Sequence, residues 1–285
     1  MFSALIISTG IWLYLIRKYD KYEPESLKIL LFLLIAGGFI STSLAGTFNS
    51  LFMDYIGIEF GNFNGSPQKL LSLALFVGFN EEIVKLLTTV FLIKKSKHFD
   101  EPIDGIIFAL TVSLGFAAFE NMGYMKSYGV SVIYTRSFMS IPGHLAFAAF
   151  WGYGLSREKY FGKKLLGLNT WKFLFIGALI HALYDYVLFL GGAISLTVFI
   201  ILIYSVMWGR NKLITMANIS PFMNSWICPH CREENSKNTR ICKKCKKFLR
   251  YEKEFLIICP KCKNEKLRGE PCKHCEAEES IEYYI

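Results

Sequence analysis

Apolar residues gather along this chain in seven long runs, at about 2–17, 28–46, 70–93, 103–125, 141–156, 171–190 and 193–208, with short polar stretches between them. Several reach the roughly 20 residues that carry a helix across a ~30 Å hydrocarbon core. The runs at 2–17, 141–156 and 193–208 are shorter and would use flanking residues to finish a crossing. The first run lacks a basic start and a small-residue end, and Arg17 and Lys18 follow it, so it reads as an anchored helix and not a cleaved signal. The expectation is an all-α polytopic membrane bundle of about seven transmembrane helices. The Gly191–Gly192 turn leaves open a re-entrant pair at its end. The stretch 47–69, with Asp54 and Glu59 among Phe, Met, Tyr and Ile, reads as an amphipathic helix lying at the interface. A substrate gate is the sharper alternative for it.

Composition changes abruptly near Arg210. The chain is 53% hydrophobic overall, yet all of its eight cysteines lie in the polar tail beyond that point. This divides it into a membrane domain at 1–209, a linker at 210–226 and a small cysteine-rich domain at 227–285. Lys and Arg favour alternate connections: Arg17, Lys18, Lys21 and Lys28; then Lys94, Lys95 and Lys97; then Arg157, Lys159, Lys163, Lys164 and Lys172. By the positive-inside rule this expects a multi-pass protein of the cell membrane with its N-terminus outside and its C-terminal tail in the cytoplasm. The formal charge of +9 does not point to nucleic acid, because the cations sit at the ends of apolar runs and in the tail and form no basic face.

The polar residues inside the apolar runs carry the chemistry. Glu81, Glu82 and Lys85 interrupt 70–93, Glu120 and Asn121 interrupt 103–125, His144 lies in 141–156, and His181 and Asp185 lie in 171–190. An ionisable group at bilayer mid-depth costs roughly 3 kcal/mol on insertion scales, so such groups face a bundle interior and serve a function. Each has a plain alternative: a packed histidine, an Asp185 that only orients His181, a Lys85 that only neutralises its neighbours. Depth favours one site. At ~1.5 Å per residue, Glu81 lies about 20 Å from Lys94, Glu120 about 24 Å from Asp104, His144 about 20 Å from Arg157, Asp185 about 20 Å from Lys172 and His181 about 14 Å from it. A Glu in a low-dielectric pocket beside a cation suits a general base, and His181 or Asn121 could donate to an oxyanion. No Gly-x-Ser-x-Gly motif and no membrane cysteine offers a nucleophile. Activated water is the better chemistry, with or without a metal, for which Glu81, Glu120, His144 and His181 are candidate ligands.

Glu81-Glu82-Ile83-Val84-Lys85 resembles the E-E-x-x-K motif of the PrsW family of intramembrane proteases, relatives of the CaaX-processing and abortive-infection-type membrane proteases. Phe116–Glu120 matches its F-x-x-x-E motif, Arg136 with a Pro142-Gly143-His144 turn resembles a third block, and His181–Asp185 matches H-x-x-x-D. The resemblance spans about 70–190. It implies a protease that cuts a membrane-anchored protein substrate near the outer face. By analogy with the CaaX relatives, Glu81 and His144 would activate water, and His181 and Asp185 would bind or support the oxyanion. Glu82, Lys85 and Glu120 would shape the site. Arg136 would bind substrate backbone or pair with a carboxylate, its plain alternative being an interfacial cation. Whether a catalytic metal takes part is open on this resemblance.

In the tail, Cys228, Cys231, Cys242 and Cys245 form one C-x₂-C…C-x₂-C unit, and Cys259, Cys262, Cys272 and Cys275 a second. Such tandem knuckles present four thiolates each, which expects a small β-rich, metal-stabilised double zinc ribbon with two structural Zn²⁺. Tandem order favours ligands within each unit, with His230 and His274 as bystanders. The ribbons are read as a module for a cytosolic protein partner in preference to DNA. Two other functions use the same buried polar groups: an ion-coupled transporter and a catalytically silent membrane sensor. The absence of an internal repeat counts against the transporter.

Overall fold

A computed structural model of the chain describes residues 3–61, 63–162, 164–222, 225–228, 231, 233–236, 241–247, 256–258 and 265–267. The apolar runs become helices: α1 Ser3–Tyr19, α2 Leu27–Phe32, a π-helical turn Leu33–Gly37, α3 Gly38–Ile56, α4 Pro67–Ile93, α5 Asp104–Tyr128, α6 Val132–Phe138, α7 Ser140–Arg157, α8 Leu168–Leu190 and α9 Val198–Ala217. α2, the π turn and α3 form one continuous rod, Leu27–Ile56. Local chemistry sets the ends. Ser26 and Ser66 cap α2 and α4 through their side chains, and Pro67 occupies the first turn of α4, where its missing N–H costs nothing. Gly57 closes α3 in the left-handed region at φ 63°.

Four helices are long and apolar enough to cross a membrane by length and composition: Leu27–Ile56, Asp104–Tyr128, Leu168–Leu190 and Gly192–Ala217. α7 is buried continuously from Ile141 to Ser156, and α5 from Asp104 to Ala117. These two form the middle of the bundle, with α4 and α8 packed beside them. The outer helices turn large apolar side chains outward, including Ile7 and Tyr14 on α1, Phe39 and Phe48 on α3, and Ile200 and Tyr204 on α9. A surface of that kind suits a hydrocarbon solvent.

Small residues bring the inner helices together. A Cβ on Gly78 of α4 would lie 2.7 Å from the backbone nitrogen of Ala182 on α8, and one on Gly152 of α7 would lie 2.7 Å from the Cβ of Ala109 on α5.

Three local expectations are corrected. Residues 47–56 continue α3 and do not begin a separate interfacial helix; Met53 and Ile58 then pack with Leu70 and Leu73 in one buried cluster. Burial against α4 outweighs lying at the interface for these side chains. Pro142 and Gly143 belong to the first turn of α7 and make no turn of their own, which a proline at a helix start permits. Beyond Arg210, α9 remains helical to Ala217.

The chain divides into two compact units, Met1–Ala217 and Asn218–Ile285. In the second, β1 Ser225–Ile227 pairs antiparallel with β2 Glu234–Ser236, and β3 Leu256–Ile258 pairs antiparallel with β4 Glu265–Leu267.

Candidate active site

α4 presents Glu81, Glu82 and Lys85 on one buried face, because i,i+3 and i,i+4 residues lie over one another. Lys85 Nζ is 2.8 Å from Glu82 Oε1 and 3.4 Å from Glu81 Oε2. The close α4–α8 approach at Gly78 brings in His181. Its Nδ1 is 3.0 Å from Glu82 Oε1, and its Nε2 is 3.9 Å from Glu81 Oε2 and 3.5 Å from Asp185 Oδ2. α7 supplies His144, with Nδ1 at 3.1 Å from Lys85 Nζ and Nε2 at 2.9 Å from Glu120 Oε2 of α5. An ammonium only donates, so His144 Nδ1 accepts and its Nε2–H donates to Glu120. His144 Nδ1 also lies 4.0 Å from Glu81 Oε2. Four helices thus converge on one cluster.

The two adjacent glutamates have different surroundings. Glu82 is fully buried and accepts from Lys85, from His181 and from Trp151 Nε1 at 2.8 Å. Glu81 accepts from Lys85 and from Asn49 Nδ2 at 3.0 Å, and it lines a cavity of about 810 Å³. Glu120, Arg136, His144, His181 and Asp185 line the same cavity, while Glu82, Lys85 and Asn121 are not among its lining residues. Its remaining wall is largely apolar, with Phe60, Phe63, Phe116 and Phe147 prominent. Arg136 from α6 donates to Glu120 Oε2 at 2.5 Å, to Ser140 Oγ at 2.9 Å and to Asn121 Oδ1, and lies 3.6 Å over the Tyr124 ring. Of its two expected roles, pairing with a carboxylate is thus formed within the chain.

Reading the chain as a sequence missed several members. Asn49 reaches Glu81 from α3, and Asn80 steadies it by donating to Asn49 Oδ1 at 2.7 Å and Ala45 O at 3.0 Å. Their signal was available: both are polar amides within or beside apolar runs. Phe116, whose ring centroid lies 3.9 Å from Lys85 Nζ, is in the sequence no more than a motif position. Trp151 carried no signal at all, since one more aromatic residue in an aromatic-rich helix is unremarked until its N–H is seen to meet a buried carboxylate.

Donor atoms of Glu81, His144 and His181 lie within 4.8 Å of one another, so by spacing they could hold a metal ion. Charge and hydrogen bonding fit less well. Both ring nitrogens of His144 are engaged, and the Lys85 ammonium stands 3.1 Å and 3.4 Å from two of the three donors. A divalent ion there would have to displace one cation from beside another. In the second unit, Sγ atoms of Cys228, Cys231, Cys242 and Cys245 lie within 4.8 Å of one another and could hold a metal. The Cys228–Cys245 and Cys231–Cys242 separations are both 3.5 Å, close to the roughly 3.8 Å edge of a tetrahedral site with Zn–S near 2.3 Å. Cys259, Cys262, Cys272 and Cys275 lie outside the described residues.

Residues 25–209 match a family model described as PrsW family intramembrane metalloprotease. The chain belongs to the PrsW family. A Protease PrsW from Clostridioides difficile (strain 630) is 30% identical over 217 residues, covering 72% of this chain and 87% of that protein. Protease PrsW from Halalkalibacterium halodurans is 33% identical over 152 residues, 52% of this chain and 69% of the relative. The Bacillus subtilis (strain 168) protein of the same name is 28% identical over 191 residues, 64% and 82% of the two chains. No solved structure matches the chain. Together with its apolar helices, membership of the PrsW family makes this a multi-pass membrane protein and an intramembrane protease acting on protein.

Proposed function

We propose that this PrsW-family protease cleaves a membrane-anchored protein by water activated on Glu81, with seven helices crossing the bilayer. The observation carrying this is the gap beside Glu81. Its Oε2 lies 3.9 Å from His181 Nε2 at the cavity wall, a separation that one water bridges with two ordinary hydrogen bonds, and His144, held by Lys85 and Glu120, stands 4.0 Å from the same oxygen. Glu81 takes a proton from that water as its oxygen attacks the scissile carbonyl. His181, with Asp185 at its Nε2, supports the oxyanion, and Glu81 returns the proton to the departing amine as the C–N bond breaks. Glu82 and Lys85 hold these groups in place, Glu120 and Arg136 fix His144, and Asn121 positions Arg136. No step requires a metal.

Three further helices join the four apolar ones as spans: α1, α7, and α4, whose apolar character is interrupted by its own site residues. The asymmetry of Lys and Arg between connections supports an outside N-terminus and a cytoplasmic C-terminal unit. The cavity draws on the ends of α3, α5 and α8 that this orientation places outside, so cleavage falls near the outer face. The four clustered cysteines support a structural Zn²⁺ in the tail, the repeated Cys spacing a second, and a cytosolic protein is the partner this module suits.

The test is cleavage of a single-span substrate by purified enzyme in detergent or liposomes. Glu81→Gln and His144→Ala should each abolish cleavage while leaving thermal unfolding of the bundle cooperative. Cleavage undiminished in Glu81→Gln would remove the assigned base.

A further inference from the structure

At the far end of α5 from Glu120, about 24 Å away along the helix axis at ~1.5 Å per residue, a second group of acids is buried. Asp20 follows α1, Glu101 precedes α5, and Asp104 opens α5; none is more than 1% exposed. One carboxylate oxygen from each of the three lies within 4.8 Å of the others. Oxygens bound to a single Ca²⁺ at 2.3–2.6 Å lie no more than about 5 Å apart. One oxygen of each aspartate is already used to shape the backbone. Asp20 Oδ2 accepts from Glu25 N at 2.6 Å, and Asp104 Oδ2 accepts from Asp100 N at 2.9 Å and Glu101 N at 2.7 Å. The second oxygens, Asp20 Oδ1 and Asp104 Oδ1, are buried with no hydrogen-bond partner. Such orphaned acceptors are costly, and buried carboxylates that repel one another are more so, even with Glu101 hydrogen-bonded to Asp20 and Arg17 attracting it through space.

Nearby cations do not fill the gap. Arg17 directs its Nε to the Glu25 backbone carbonyl at 3.1 Å, and the half-exposed His98 lies 3.2 Å from Glu25 Oε2 at the margin. Burial raises the Asp20 carboxyl above its usual range and, with neighbouring acids, pushes Glu25 up to about 8.

We propose that Asp20, Glu101 and Asp104 form a binding site for one hard divalent cation, Ca²⁺ in preference to Mg²⁺. An all-carboxylate oxygen donor set selects such ions and rejects Zn²⁺ held by thiolates. The ion ties the α1–α2 connection to the α4–α5 connection and the start of α5, and so sets the register of the two helices that carry Glu81 and Glu120. It is separate from the protease site and from the cysteine cluster.

The full chain, purified in detergent with its zinc retained, is dialysed to equilibrium against Ca²⁺, Mg²⁺ or Mn²⁺, and bound metal is counted. One saturable Ca²⁺ per chain is expected, with thermal unfolding raised by several degrees. Asp20→Asn and Asp104→Asn should each weaken binding at least tenfold, while Glu81→Gln/His144→Ala and Cys228→Ser/Cys231→Ser keep it. Should the Asn variants fail to fold, Tb³⁺ replaces Ca²⁺ in the unmutated protein. Tyr160 lies against Phe99 and within the electrostatic reach of Asp104, so it should sensitise Tb³⁺ emission, and Tyr160→Phe should dim it without loss of bound ion. The proposal fails if no ion saturates, if binding survives both Asn changes, if it is lost with the protease-site or cysteine variants, or if Tyr160→Phe leaves the emission unaltered. Asn variants more stable than the parent with no response to any ion would show carboxyls sharing protons instead.

Discussion

Glu81 and Glu82 are chemically identical neighbours whose surroundings separate their roles. Glu82 meets Lys85, His181 and Trp151 and is closed off from the cavity, whereas Glu81 faces it. Replacing Glu81 by Gln should lower cleavage by roughly 10²–10⁴-fold, the range of a lost general base, with little change in unfolding temperature. Lys85→Met should behave differently. It leaves Glu82 as an uncompensated buried charge, and breaking such a pair costs about 3–5 kcal/mol. The unfolding midpoint of Lys85→Met in micelles should therefore fall sharply, and Glu82→Gln on the same chain should restore much of it without restoring activity. Trp151→Phe removes one donor to a buried carboxylate and should cost about 1.5–3 kcal/mol by the same measurement. The charged members of this network were legible from residue type and depth. Asn49 left only the weak signal of an amide beside an apolar run, and Trp151 left none, because an indole becomes part of a site only through the group it touches.

Among the helices, the decisive contact is the approach of α4 to α8 across Gly78. A methyl group there would press within 2.7 Å of the Ala182 backbone, which cannot move aside as a side chain would. Gly78→Ala should push α4 outward and lengthen the 3.0 Å link between Glu82 and His181. Cleavage should then fall by more than tenfold although no polar site residue has changed, and activity assayed beside thermal unfolding would show it. A Gly78→Ala enzyme of full activity would mean that the bundle tolerates a wider spacing. The helices themselves were readable from the apolar runs and their Ser, Pro and Gly boundaries. The small-residue faces were not legible there, since a glycine in a helix announces a close neighbour without naming it.

For the molecule as a whole, the division at Ala217 sets two different sources of stability beside each other. The first unit rests on packed helices, while the second holds two short strand pairs and a cluster of four cysteines, Cys228, Cys231, Cys242 and Cys245. Elemental analysis of the purified chain should find two zinc, and Cys228→Ser/Cys242→Ser should reduce this to one while leaving the helical unfolding transition unchanged. Reporter fusions at the two termini should place the first outside and the second in the cytoplasm. α9 runs on to Ala217, past the fading of apolar character near Arg210, because helix propagation follows backbone hydrogen bonds and not hydrophobicity.

Spacing along one helix is covalent, so the sequence by itself determined which polar groups ride on which helix, how far along it, and which of them share a face. It also set the C-x₂-C spacings and the family motifs. Which helix stands beside which, and how each is turned, depends on side chains interlocking between segments far apart in the chain. Only the tertiary structure therefore decided that Glu81 faces the cavity and Glu82 does not, that Arg136 is held by Glu120, and that Asp20 meets Asp104.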